Sequence, residues 1–320
     1  MTRRWTVGVD FGGTNVKAGL VSSAGRVAAA RVLSSRTVSR PARFVEGLGE
    51  AVEDLARSVG TRPRGLRGVG VGAPGPVDVE RGMVHSLVNV PGWHRVPLRR
   101  LLERRLGCRC AVDNDANLFA LGEFTFGAGR GAQCLVCLTL GTGLGGGLIV
   151  GGVLHRGARG AAGEAGHMVI DPDGPRCGCG VKGCLEAHVG AAALLRMGRR
   201  AVRQGAEPLR TLVHRARGRL TPALLSQAAR QGDASARRIW VEFGRFLGIG
   251  LGNLVNLLDP DRIVLGGGVA GAWPLFYPTL IRTVRAQALE IPARAVDVVR
   301  ARLGDHAGIV GAAVLLWGSG

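Results

Sequence analysis

Hydrophobic positions along the chain follow two rhythms, and the stretches where each holds mark out the elements. Trp5–Val9 is a short apolar run reaching Asp10, and after a glycine-rich turn a second run, Ala18–Val21, follows; both read as strands. From Pro41 to Val59 the apolar residues Phe44, Leu48, Val52, Leu55 and Val59 recur at helical spacing, which predicts an amphipathic helix. Val69–Gly72 is expected to be a buried strand entering the turn Ala73-Pro74-Gly75-Pro76, Pro97–Leu106 a basic helix, Ala111–Val112 the end of a strand, and Ala116–Phe126 a helix with Asp115 at its start.

The second half repeats the opening: strand Cys134–Leu140, a glycine turn, strand Gly147–Val150. Beyond it the pattern predicts one helix from Leu185 to Val202, a short helix opened by Thr221 and Pro222 as N-cap and first residue, and a long helix from Ala234 to Leu258. Ile239, Phe243, Leu247, Leu251, Leu254 and Leu258 line one face of the long helix. A buried strand, Ile263–Leu265, runs into Gly266-Gly267-Gly268, and Ala307–Trp317 is a closing apolar helix. Strands alternating with helices over 320 residues place the chain in the α/β class with room for two domains.

Composition narrows the function classes. With 46% apolar and 20% charged residues the chain is globular rather than disordered. The net charge is +19, and only Lys17 and Lys182 of the 42 cations are lysines. Arginines such as Arg196, Arg199, Arg200 and Arg203 are spread over helix faces with few interleaved aromatics, so the excess reads as a solvated surface and no specific nucleic-acid partner is expected. The amino terminus lacks a secretion signal, and the uncharged stretch 131–154 is too rich in glycine for a membrane span, so a cytoplasmic protein is expected. In that compartment closely spaced cysteines point to metal or reduced thiols.

Candidate chemistry sits at the glycine turns and beside them. Asp10-Phe11-Gly12-Gly13-Thr14-Asn15-Val16-Lys17 offers backbone N–H groups and a hydroxyl to an anion, with Asp10 placed to hold the hydrated Mg²⁺ that accompanies ATP. It lies between two strands and is therefore neither a Walker loop nor a dinucleotide fingerprint. Gly141-Thr142-Gly143-Leu144-Gly145 is a second cradle of the same design, and Gly267-Gly268 a third glycine turn. Asp113-Asn114-Asp115 lies where strand hands over to helix; Asp115 is a candidate general base for a sugar hydroxyl, and the same residues are good helix caps. His167, Cys177, Cys179 and Cys184 fall within 18 residues, separated by glycines, and fit a closed, structural Cys₃His zinc site. Glu164 and Glu186 flank it and could accept from vicinal hydroxyls. Cys108, Cys110, Cys134 and Cys137 read as ordinary buried thiols.

Taken in order, DFGGTNVK at 10–17, GAPGPVD at 72–78, NVPGW at 89–93, DNDAN at 113–117, LGTGLGGG at 140–147, GEAGH at 163–167, CGCGVKGCLE at 177–186, IVLGGGV at 263–269 and GDHAGIVGAA at 304–313 resemble the ROK family of bacterial sugar kinases and sugar-responsive repressors, over nearly the whole chain. The resemblance implies an actin-like ATPase (RNase H-like) fold of two α/β domains around a cleft, with residues 1–113 and 303–320 in the smaller domain and 114–302 in the larger. It implies an ATP-dependent hexose kinase, glucose being the expected substrate and the 6-hydroxyl the acceptor. Asp115 is then the base; Asn89, Asn114, Asp115, Glu164, His167 and Glu186 are the sugar contacts; and Asp10, Gly12, Gly13, Thr14, Asn15, Lys17, Gly141, Thr142, Gly143, Gly145, Gly267 and Gly268 are the nucleotide contacts. His167, Cys177, Cys179 and Cys184 match the zinc ligands, His167 serving metal and sugar through its two ring nitrogens. A homodimer or homotetramer is implied. Asp113 stands where Glu is familiar, and Phe11 where a small aliphatic is common. N-acetylglucosamine, N-acetylmannosamine or fructose are alternative substrates. A sugar-responsive repressor is disfavoured because only nine residues precede Asp10, too few for a helix-turn-helix.

Overall fold

The computed structural model describes residues 4–12, 15–34, 40–87 and 92–317. In chain order the elements are β1 (Trp5–Phe11), β2 (Asn15–Ser22), β3 (Val27–Ser34), α1 (Pro41–Arg57), β4 (Val69–Ala73), β5 (Val77–Asp78), β6 (Met83–Ser86), β7 (His94–Val96), α2 (Leu98–Leu106), β8 (Cys110–Asn114), α3 (Asp115–Phe126), β9 (Leu135–Leu140), β10 (Leu144–Val150) and β11 (Val153–His155). There follow α4 (Leu185–Val189), α5 (Ala191–Arg203), α6 (Leu209–Arg215), α7 (Pro222–Arg230), α8 (Ala234–Leu258), β12 (Arg262–Gly266), α9 (Trp273–Gln287), α10 (Glu290–Ala295), β13 (Asp297–Arg300) and α11 (Ala307–Val314).

Two five-stranded sheets have the same plan, ordered β3-β2-β1-β4-β8 and β11-β10-β9-β12-β13. In the first, β1, β2 and β3 are an antiparallel meander and β4 and β8 add in parallel; in the second, β10 pairs antiparallel with β11, and β12 parallel with β13. The repeated strand–glycine turn–strand signal is thus the opening hairpin of each sheet. Grouped by contacts, the chain forms two units, Met1–Cys137 with Gly147–Gly163 and Ala301–Gly320, and Leu138–Gly146 with Glu164–Arg300. Where the sequence reading starts the larger domain at 114, this grouping keeps α3 with the first unit, because α3 packs against α11.

That packing is unusually close. A methyl group on Gly8 or Gly70 would lie 1.8 Å from a carbonyl oxygen of α11, and one on Gly311 1.7 Å from the carbonyl of Leu118, so only glycine lets α11 rest its backbone on β1, β4 and α3. Elsewhere in the first unit Phe11 stacks on Phe44 (ring centroids 4.6 Å apart), and Trp93 packs against both at 5.3 Å. The large residue at position 11 therefore fills an aromatic core.

Most elements match their expected spans, α8 to the residue. The helix expected from Leu185 to Val202 is instead two helices broken at Gly190, whose ψ of 161° is extended. A methyl group there would stand 2.9 Å from the carbonyl of Glu186, so the break lets the chain turn tightly over α4. β3 and α9 lack a clear signal: β3 is rich in alanine, a poor strand former, and α9 carries Pro278 in its interior.

Candidate functional site

In the first unit the candidate residues gather at the carboxyl ends of three parallel strands. Asp10 on β1 is in register with Gly72 on β4, which is in register with Asp113 on β8. Lys17 is the cross-strand partner of Asp10, and its Nζ lies 3.2 Å from Asp305 Oδ2. Burial pushes the Asp10 carboxyl above its ordinary range; Lys17 pulls it down and Asp305 pushes it up. Gly308, at the start of α11, stands so near that a methyl group on it would be 2.9 Å from the Asp10 carboxyl carbon. The Gly12 N–H donates to the Asn15 carbonyl (3.1 Å), closing the first glycine turn. Gly13, Thr14 and Asn89 lie outside the described residues.

Asn114 ends β8 and caps α3. Its Oδ1 accepts from the backbone N–H of Ala116 (2.9 Å) and Asn117 (3.2 Å), while its Nδ2 donates to the Gly75 carbonyl (3.1 Å). The cap and the candidate sugar contact are therefore one residue. Asp115 is the first residue of α3, and its Oδ1 accepts from the Ala116 N–H at 2.8 Å. Beneath this turn Asp113 is fully buried and ion-paired with Arg156.

In the second unit the cysteine knuckle, Glu186 and the other glycine turns come together. Ligand atoms of His167, Cys177, Cys179 and Cys184 all lie within 4.8 Å of one another, with Cys179 Sγ to Cys184 Sγ at 3.6 Å and Cys177 Sγ to His167 Nδ1 at 3.7 Å. Donors held at about 2.0–2.3 Å around a tetrahedral zinc stand about 3.5–3.8 Å apart, and the Cys179–Cys184 and Cys177–His167 pairs have that spacing. His167 Nε2 points the other way, 3.9 Å from Glu164 Oε2. Glu186 Oε2 accepts from the Leu144 N–H at 2.8 Å, and Cys177 Sγ lies 3.7 Å from its Oε1, which ties the knuckle to the second glycine turn. The Ala191 N–H, opening α5, donates to the Gly141 carbonyl at 3.1 Å. Gly267 takes a φ of 82°, and a methyl group on it would lie 2.4 Å from the Leu140 carbonyl oxygen, so glycine is required on both counts and the third glycine turn abuts the second. Beside Gly268 a cavity of about 220 Å³ is lined by Ser226, Arg230 and Trp240. Trp240 is fully buried, and among the described residues its indole N–H has no hydrogen-bond partner.

Of the remaining cysteines, Cys110 and Cys137 are buried and Cys108 and Cys134 half-buried. Sequence reasoning misses Arg156, Asp305 and Glu123. Asp305 lies inside a quoted motif, but Arg156 and Glu123 carry no local signal, since Asp113 is distant from the first and Arg302 and Leu303 from the second.

The ROK family model matches residues 6–318. The chain belongs to the ROK family. It is 39% identical over 316 residues to a glucokinase of Streptomyces coelicolor, a match covering 97% of this chain and 96% of that one. The crystal structure of a ROK family glucokinase from Streptomyces griseus in complex with glucose and AMPPNP is 37% identical, with a TM-score of 0.84 over 97% of this chain and 98% of that one. A ROK hexokinase from Thermus thermophilus is 36% identical, with a TM-score of 0.77 over 97% of each chain. The architecture is the actin-like ATPase fold expected from the motifs. Among the described residues, no helix is long and apolar enough to cross a membrane.

Proposed function

We propose that this ROK protein is an ATP-dependent glucokinase that transfers the γ-phosphoryl group to the 6-hydroxyl of glucose. The observation that carries the reading is the full-length relation to glucokinases, one of them seen with glucose and AMPPNP, in a chain that keeps the carboxylate of Asp115 at a capped helix start.

Asp115 acts as the general base, accepting the hydroxyl proton as the sugar oxygen attacks phosphorus. Asn114, Glu164, His167 and Glu186 hold sugar hydroxyls, and Asn89 joins them. The Asn114 cap, which bonds the N–H groups just beyond Asp115, supports this assignment, because a base works only where its angle to the hydroxyl is held. Asp10, Lys17, Asn15 and the first glycine turn, Gly12, Gly13 and Thr14, take the phosphates and Mg²⁺; Gly141, Thr142, Gly143, Gly145, Gly267 and Gly268 complete the nucleotide contacts. The cavity of about 220 Å³ beside Gly268 has room for a purine base.

His167, Cys177, Cys179 and Cys184 hold a zinc ion, whose four protein ligands leave no place for a reacting water. When bound, it fixes the knuckle and the tautomer of His167, so that Nε2 faces outward as a hydrogen-bond donor. The chain assembles as a homodimer or homotetramer.

The test is ADP release coupled to sugar addition over glucose, mannose, fructose and the N-acetyl hexosamines, with glucose expected to give the highest kcat/KM. A higher value for an N-acetyl hexosamine overturns the substrate; no sugar-dependent release overturns the kinase. Asp115→Asn should lower kcat at least about a hundredfold, the low end for losing a general base, with nucleotide affinity unchanged.

A further inference from the structure

Arg156 belongs to none of the assigned site residues, yet it neutralises the fully buried charge beneath the proposed base. Asp113 has no exposed surface. Its Oδ1 accepts from the Asn114 N–H (2.7 Å) and from Asn117 Nδ2 (3.0 Å), and its Oδ2 receives both Arg156 Nε (2.8 Å) and Arg156 Nη2 (2.7 Å). A carboxylate keeps its charge out of water only when paired, and among the described residues Arg156 is the one cation on Asp113. The contacts of Oδ1 fall on either side of Asp115, so the carboxylate that Arg156 holds is the peg around which the strand-to-helix turn is wound.

The same arginine anchors a second segment. Its backbone carbonyl accepts from the Ala162 N–H (3.0 Å), closing a loop in which Gly157 and Gly160 take φ values of 71° and 72°. Two residues after Ala162 the chain reaches Glu164, a proposed sugar contact. One residue therefore joins the two segments: its guanidinium holds the turn carrying the base, and its backbone lies in the loop leading into the sugar contacts.

We propose that Arg156 is a positioning residue for phosphoryl transfer, setting the angle of Asp115 and the course of residues 157–163 through its bond to Asp113. The inference rests on the kinase reading above. Lysine cannot replace it fully, because an ammonium is a point charge and lacks the two fixed donors that meet Oδ2. The Arg156 side chain is 30% exposed and lines a cavity of about 460 Å³ together with Arg99, Glu103, Arg109 and Val112, so a small cation in solution has a route to the position its head group leaves.

The experiment compares wild type, Arg156→Ala, Arg156→Lys and the neutral pair Asp113→Asn with Arg156→Met, each in sugar-dependent ADP release and thermal melting. Arg156→Ala should lose at least about tenfold in kcat, as misplaced reacting groups do, with the KM for ATP little changed. Millimolar guanidinium, far below denaturing concentration, should restore a large part of that loss, while sodium chloride at equal ionic strength should not. Arg156→Lys should be intermediate. The neutral pair, which buries no unpaired charge, should melt near wild type and still turn over slowly. Wild-type turnover in a folded Arg156→Ala, or in the neutral pair, would overturn the proposal, as would equal rescue by sodium chloride. If Arg156→Ala fails to fold, the lysine variant and the neutral pair decide the question: reduced turnover in both supports the positioning role, and wild-type turnover in either overturns it. A wild-type protein without sugar-dependent ADP release refutes the kinase reading itself; active wild type with unimpaired variants refutes only the role of Arg156.

Discussion

Replacing Glu123 by Gln should destabilise the protein by about 2–5 kcal/mol, although it removes no volume. Glu123 is fully buried in α3, and among the described residues no cation pairs with it. Its carboxylate is satisfied by backbone alone: Oε2 accepts from the N–H of Ala128 (2.7 Å) and Arg302 (3.0 Å), and Oε1 from that of Leu303 (2.8 Å). Bonds to a charged acceptor contribute about 1.5–3 kcal/mol each, roughly twice their neutral counterparts. A glutamine has one carbonyl. Placed best, it keeps Ala128 and Arg302 at neutral strength and turns its NH₂ toward the Leu303 N–H, losing one bond outright and setting donor against donor. Glu123→Ala orphans all three N–H groups and should cost more than Glu123→Gln. Against a total stability of about 5–15 kcal/mol either change is large. Urea unfolding followed by tryptophan fluorescence reads the difference. A Glu123→Gln midpoint within about 0.5 kcal/mol of wild type, the scatter of harmless surface changes, would show that these bonds carry no weight.

Asn114→Ala removes the cap of α3 and its bond to Gly75, and should cost about 1–2 kcal/mol in urea unfolding together with a raised KM for glucose. Cys184→Ser, or dialysis against a strong chelator, should abolish one equivalent of zinc by elemental analysis and lower the melting temperature; full stability without metal would remove the ion from the fold. His188 is buried against Phe246, and burial pushes its pKa below the ordinary 6.5, outweighing the pull of Asp171. The unfolded chain then binds the proton more readily, so this contribution is fully present above about pH 6.5 and is lost as pH falls from there toward the depressed folded value. His188→Leu should flatten that part of the stability–pH curve, and an unchanged slope would refute the assignment.

Much of this protein is legible along the chain because its signals are local. Apolar runs mark β1 and β2, and helical spacing marks α1 and α8, whose burial on one face leaves a period in the sequence. Glycine turns, the Asn114 cap and the cysteine spacing are readable for the same reason: each depends on residues a few positions apart. Gly190 shows where such reading stops. Nothing in the periodicity of 185–202 distinguishes one helix from two, and the break follows from how closely the chain folds back over α4. Tertiary structure alone decided that Asp10, Gly72 and Asp113 would stand in register, that Glu186 would reach the Leu144 N–H, and that Arg156 and Glu123 would be needed at all. A buried charge must find its partners in space: Arg156 lies 43 residues from Asp113 and the Arg302 N–H 179 residues from Glu123, separations that no sequence pattern encodes.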